Sequence, residues 1–437
     1  MQDSYNKINH SLFLISGIYF VFLLVLLWLI GYTPHNDSDG YIEYAYQCIE
    51  QGEIYPCNAL ITGEPFIWNI GIINLILASF VMFKSYYPIL FLMCFMKATT
   101  ALLLSLITKE LAGYKVAFLT LLIYILYPNN WAQSTMLMSE IPMVFLSMIA
   151  LFIILKSKKP YILILSGILF GIANWFRPTI ITYIIPLFIF LFIYKNKKEV
   201  LRKFIFMIIG LTSIILIIGI DSKIRTGHFI YKAESFWFNM VDHCYDGSPV
   251  KPHYNTDMYA KDKPRYIENM EQKTCFECSE IWRERSIKWL KNNPLEYLSK
   301  IPGRLYYMYM NDMDNLWAFS SEKHIPEKRN IQVPFRSILS KSSQLTALQW
   351  FALLSTIIYY SIITMAFLSV VRSIKRKQFN SILLPLLIVL LGSIAIVLAI
   401  HGETRFKDPF MPFIIMMAAY EGKGAAYNPL TTNKENN

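Results

Sequence analysis

Charged residues are scarce in this chain. Asp, Glu, Lys and Arg make up 16% of its 437 residues, while 55% are hydrophobic. A water-soluble protein of this length needs more polar surface than that, so the shortage argues against an ordinary soluble fold. Other absences narrow the reading. There is no internal repeat, and the only low-complexity stretch is a polar tail over 422–437. Inverted-repeat transporters carry such symmetry, so that architecture is disfavoured. No basic face is interleaved with aromatics, so the net charge of +11 does not point to nucleic acid. No small-residue cleavage site follows the first apolar run. Gly31-Tyr32-Thr33-Pro34 leads straight into acidic residues, and the run reads as a retained helix rather than a signal peptide. Of the six cysteines, only Cys275 and Cys278 form a tight Cys-x-x-Cys pair, so the second such pair of a zinc ribbon is missing.

What the chain does have is long apolar runs. Stretches such as 11–30 and 381–400 reach the roughly 20 residues that a bilayer core demands. The expectation is an all-α polytopic membrane protein with about 10 transmembrane helices. The spans fall near 11–33, 87–108, 115–128, 139–156, 161–176, 178–194, 203–220, 347–371, 380–400 and 409–421. Basic residues cluster in short blocks between them: Lys109 and Lys115, Lys156 to Lys159, Lys195 to Lys203, and Arg372 to Lys377. The positive-inside rule places these blocks, and both termini, in the cytoplasm.

Residues 66–83 are apolar but short, and Gly71, Asn74 and Ser79 interrupt them. If they crossed, every later basic block would change sides. They are therefore expected to form a helix in the outer interface. Four parts follow. Residues 1–220 are an N-terminal transmembrane module whose first outer loop spans 34–86. Residues 221–346 are a large, mostly helical extracytoplasmic loop. Residues 347–421 are C-terminal transmembrane helices, and 422–437 are a cytoplasmic tail. Inside the large loop, 277–291 carries a helical stripe of Ile281, Trp282, Ile287, Trp289 and Leu290, and Asn293-Pro294 reads as a capped helix start. Cys48, Cys57, Cys244, Cys275 and Cys278 all fall outside, where disulfides form. Cys48 with Cys57 is the favoured pair. Cys244 with Cys275 or Cys278 is a second pairing, and zinc held by His243 and these cysteines is the alternative.

The stretch from His35 to Tyr46 follows the first span and holds Asp37 and Asp39. Carboxylates against a bilayer are costly to desolvate, so they usually have a task or a partner. Asp37 reads as a catalytic base, with Asp39 as a second catalytic acid. Other polar features share this face. Glu140 opens a span, Arg177 closes the pattern from Gly167 through Gly171 to Arg177-Pro178, and His401-Gly402-Glu403-Thr404-Arg405-Phe406 ends a span ahead of Asp408-Pro409. Such a gathering suits transfer of a group from a phosphate-bearing lipid. Arg177 and Arg405 would fork the phosphate, and a carboxylate would take the acceptor proton. Glu140, Glu403 and His401 are candidate acidic, metal or acceptor contacts. Blander readings stand beside these: Asp37 and Asp39 as caps of a helix near Gly40, Arg177 as a residue snorkelling to headgroups, and Glu140 as a first-turn acid.

In this order the motifs resemble those of the GT-C glycosyltransferases, in particular the protein O-mannosyltransferase-like branch. Asp37-Ser38-x-x-Tyr41-x-x-x-Ala45 resembles the first outer-loop motif, and Asp37 matches the aspartate regarded there as catalytic. Ser139-Glu140, the Gly167 to Arg177-Pro178 helix, and Glu403-x-Arg405-Phe406 with Pro409-x-x-Pro412 are similar to later motifs. The resemblance implies an inverting membrane glycosyltransferase. It would move a sugar from a polyprenyl-phosphate donor to a glycan, lipid or protein hydroxyl, on the extracytoplasmic face of a bacterial-type inner or plasma membrane. The family's commonest first motif has adjacent acids, whereas Ser38 separates Asp37 from Asp39 here. A divalent metal is therefore left open, and no other cofactor is expected. The alternatives are a transporter or flippase, or a polymerase or ligase, of lipid-linked glycans.

Overall fold

In a bilayer, an apolar run can satisfy its backbone internally only as a helix. The computed structural model follows that rule. It describes residues 2–34, 37–245, 259–313, 315–320 and 346–420. His35, Asn36, parts of the large loop (246–258 and 321–345) and the tail lie outside the described residues. Among the described residues there is no sheet, only one antiparallel bridge between Thr62 and Thr274. The helices are α1 (Gln2–Ile30), α2 (Ser38–Gln51), α3 (Asn58–Ile61), α4 (Ile70–Phe83), α5 (Tyr87–Ala112), α6 (Tyr114–Leu126), α7 (Pro128–Gln133), α8 (Glu140–Lys156) and α9 (Pro160–Phe176). They continue as α10 (Ile181–Tyr194), α11 (Lys197–Thr226), α12 (Phe236–Tyr245), α13 (Cys275–Asn292), α14 (Pro294–Ser299), α15 (Ile301–Tyr309), α16 (Ala347–Arg376), α17 (Leu383–Ala399) and α18 (Met411–Ala419).

Four of these, α1 over His10–Ile30, α5, α11 and α16, are long and apolar enough to cross a membrane. All four turn large apolar side chains outward, among them Trp28, Leu29, Phe91, Phe95, Ile217, Ile224, Phe367 and Leu368. Such faces would be untenable in water and are ordinary in lipid. The closest crossing is between α9 and α11. A Cβ at Gly167 would lie 1.8 Å from the Met207 carbonyl oxygen, and one at Gly210 would lie 2.0 Å from that of Ile164. Small residues let the two backbones touch, as membrane helix pairs do.

The basic blocks gather at one end of the bundle. Lys156 pairs with Glu110 at 2.8 Å, Lys158 and Lys203 both approach Glu199, and Ala112, Ile382 and Tyr420 pack in one small cluster. The acids and arginines of interest lie at the opposite end. There both ends of α4 meet the ends of other helices. Its first residues meet the other helices' ends: Asn69 bonds Ser139, and Gly71 packs on Phe176. Its last turn returns to the same end. Phe80 packs on Tyr86, whose ring lies 4.9 Å from that of Tyr32, just past α1.

Over this end sits a cap built from α12 to α15. Arg265 pairs with Asp242 at 2.8 Å and stacks on Phe238, while Trp282 donates to the Arg265 carbonyl. Phe66 of the first loop packs on Phe238, so the cap rests on the N-terminal module.

Three expectations change here. Asn293 stands before α14 without capping it, and its amide donates back to the Trp289 carbonyl instead. Cys244 lies against the Ser286 carbonyl, eight or more residues along α13 from Cys275 and Cys278. At roughly 1.5 Å per residue that separation is too long for a disulfide. The zinc alternative fails with it, because His243 turns to His401 and not to the cysteines.

Candidate active site

Asp37 stands at the N-cap position of α2, yet its side chain makes no capping bond. Its Oδ2 accepts instead from Arg405 Nη1 at 2.8 Å. Arg405 sits in a 3-10 turn, Thr404–Lys407, and its Nε donates to Glu403 at 3.1 Å. Glu403 in turn faces His401 Nε2 at 3.4 Å. Asp37 retains 24% side-chain exposure, so the carboxylate can be reached from outside.

The second ion pair lies alongside. Arg177 ends α9 in an extended conformation, as the residue before Pro178 should. Its Nη1 reaches Glu140 at 2.8 Å and the Ser139 hydroxyl at 3.3 Å. The Phe406 ring lies 5.7 Å from the Arg177 guanidinium and 5.5 Å from that of Arg405, so one aromatic ring contacts both cations. Asn69, just ahead of α4, donates to the Tyr41 hydroxyl of α2 and to Ser139. The starts of three helices are thereby tied together around the two arginines. Burial, with Asp37 and Glu140 close by, raises the Tyr41 phenol well above its ordinary range.

Asp39 is not part of this arrangement. It is exposed, lies along an open groove with Glu43, Tyr46 and Glu50, and receives a long 3.5 Å bond from Tyr32. Cys48 and Cys57 are both buried, with sulfurs 3.8 Å apart as free thiols. Among the described residues, no group of three or more His, Cys, Asp or Glu side chains is arranged to hold a metal ion.

The sequence reading missed Asn69 and an entire buried polar line. Lys97, inside α5, donates to Asn130 at 2.8 Å and Gln133 at 2.6 Å, and Gln133 donates to Asp408 at 2.6 Å. Lys407 pairs with Asp312 at 2.9 Å, and the Tyr127 hydroxyl donates to the same carboxylate. A small space of about 20 Å³, bordered by Lys97, Gln133, Glu140 and Asp408, lies between this line and the Arg177 pair. That is room for about one water molecule. A lone lysine within an apolar run was the available signal, since such charges are rarely idle.

Residues 67–220 match the family model described as dolichyl-phosphate-mannose-protein mannosyltransferase. No curated protein and no solved structure matches the chain. The matched region runs from just before α4 through most of α11. It contains Asn69, Glu140 and Arg177, while Asp37 and Arg405 flank it on either side. This match, over an all-helical bundle that turns apolar faces outward, makes residues 67–220 similar to a membrane mannosyltransferase family and supports a GT-C glycosyltransferase-like integral membrane protein.

Proposed function

We propose that the chain transfers a sugar from a polyprenyl-phosphate donor to an acceptor hydroxyl on the extracytoplasmic face, with inversion. The observation that carries this reading is the Asp37–Arg405 contact: a reachable carboxylate not spent on capping, held against an arginine at 2.8 Å. In the displacement, the acceptor oxygen bonds to the anomeric carbon as the carbon–oxygen bond to phosphate breaks on the opposite face. The acceptor proton passes to Asp37, and the electron pair leaves with the lipid phosphate. Arg177 and Arg405 meet that phosphate, with Glu140 and Glu403 setting their orientation. The exposed groove beside Asp39 suits contact with the acceptor rather than proton removal.

The same reading takes the bundle as about ten spans with cytoplasmic termini. It places α4 in the outer interface, the cap outside, and a disulfide between Cys48 and Cys57. The gathering of basic blocks at the end away from Asp37 supports it. One observation favours the runner-up, a transporter or flippase: the buried Lys97–Gln133–Asp408 line places charge inside the bundle.

Sugar transfer by purified Asp37→Asn protein in liposomes tests the proposal. Loss of a general base costs on the order of 100- to 10,000-fold in turnover. The KM for the lipid donor should stay near wild type, and the melting profile should be unchanged. Arg177→Ala, run beside it, should raise donor KM instead. A chelator arm reports whether a divalent cation accompanies the donor. A well-folded Asp37→Asn variant keeping more than about a tenth of turnover removes the base from the mechanism.

A further inference from the structure

We propose that His243, on α12 of the outer cap, is the positioning residue for the Glu403–Arg405 stretch; the inference rests on the reading of Asp37 and Arg405 given above. Both the backbone N–H and the ring Nδ1 of His401 point at His243 Nε2, at 3.2 and 3.0 Å. For His243 Nε2 to accept both, its lone pair must be bare, so His243 is neutral with its proton on Nδ1. Burial does most to hold it so, lowering its pKa well below the ordinary value. His401, Arg304, Arg265 and Lys300 add to the shift. Asp242, the residue before it, pairs with Arg265 rather than with the imidazole.

His401 then presents its Nε2 side to Glu403 at 3.4 Å, Glu403 holds Arg405 Nε at 3.1 Å, and Arg405 holds Asp37 at 2.8 Å. These contacts lead from the cap to the carboxylate, the His401–Glu403 step being an ion-pair approach and not a hydrogen bond. The loop that carries it has little slack. Arg304 donates to the Val397 carbonyl in the last turn of α17 and to the His243 carbonyl, joining the two sides of the contact. A Cβ at Gly402 would lie 1.9 Å from the Arg304 carbonyl oxygen, so the loop lies directly on α15. His243 is thus the cap's polar grip on the start of the turn from which Arg405 reaches Asp37. Misplacing a reacting group by about 1 Å can cost roughly 100-fold in rate, so a loosened turn should be felt in kcat.

The test compares His243→Phe, which keeps a ring but loses the acceptor, with His243→Gln, which returns an oxygen near the Nε2 position. His243→Phe should lower kcat about tenfold or more. Its donor KM should remain within about twofold of wild type, because both arginines are retained. His243→Gln should recover most of the loss. Should His243→Phe not fold, His243→Met takes its place and is read against His243→Gln in the same way. Wild-type kcat in the folded Phe or Met variant overturns the proposal. So does equal loss in the apolar and Gln variants with lowered melting, which is the pattern of a packing residue. If Asp37→Asn is inactive while His243→Phe turns over normally, only this inference falls. If both turn over normally, the mechanism beneath it falls as well.

Discussion

Cys48 and Cys57 join the helix that carries Asp37 to the loop beneath the cap. The Cys48 thiol donates to the Cys57 sulfur at 3.8 Å, and that bond lowers the Cys57 thiol below its ordinary range. Of the two, Cys57 is the one favoured as thiolate and would be the attacking sulfur in oxidation. The pair should be found oxidised in protein from the native membrane, in a peptide mass map made without reductant. Two alkylatable thiols there would refute the disulfide. At this scale the sequence was informative wherever a residue sat in an ordered motif. Asp37, Glu140, Arg177, Glu403 and Arg405 do converge at one end of the bundle, and the motif order had grouped them. Asp39 was expected beside Asp37 as a second catalytic acid, but positions two apart at the start of a helix point different ways. The bond between His243 and His401 spans 158 positions. No periodicity encodes a contact of that kind; it depends on which helix ends meet.

Among the helices, α9 and α11 depend most plainly on composition. The Gly167 site has no room for a methyl group, because the Met207 backbone fills it. Gly167→Ala should therefore cost at least about 1–3 kcal/mol, the usual penalty of overpacking. It should appear as a lower melting temperature in detergent, with reduced activity following the loss of folded protein. An unchanged melting temperature would mean that the crossing is looser than described. Span positions were legible from hydropathy, and span lengths less so. The run 203–220 lies inside a helix, Lys197–Thr226, that continues well past its apolar middle. Hydropathy marks what the lipid covers, while the backbone keeps its hydrogen bonds into the polar flanks. The helix α12 was not foreseen, since 221–276 shows no clear apolar period, and its most telling residue, His243, is polar and buried.

Across the whole molecule, sidedness is the property from which the rest follows. If the basic end faces the cytoplasm, an impermeant maleimide should label a Lys84→Cys variant on intact cells. A Lys377→Cys variant should react only after permeabilisation. Both positions are exposed. Labelling of the Lys84 position from the cytoplasmic side alone would mean that α4 crosses. The route by which the chain closes its site has a further consequence, one of timing. Asp37 and Arg405 are 368 positions apart. At the usual pace of synthesis, the ribosome takes roughly 20 to 70 seconds to travel between them. Throughout that interval the aspartate is present without the arginine that pairs with it. A growing chain therefore carries Asp37 long before it carries Arg405, and under the proposed mechanism the reaction stays silent until the last helices are laid down.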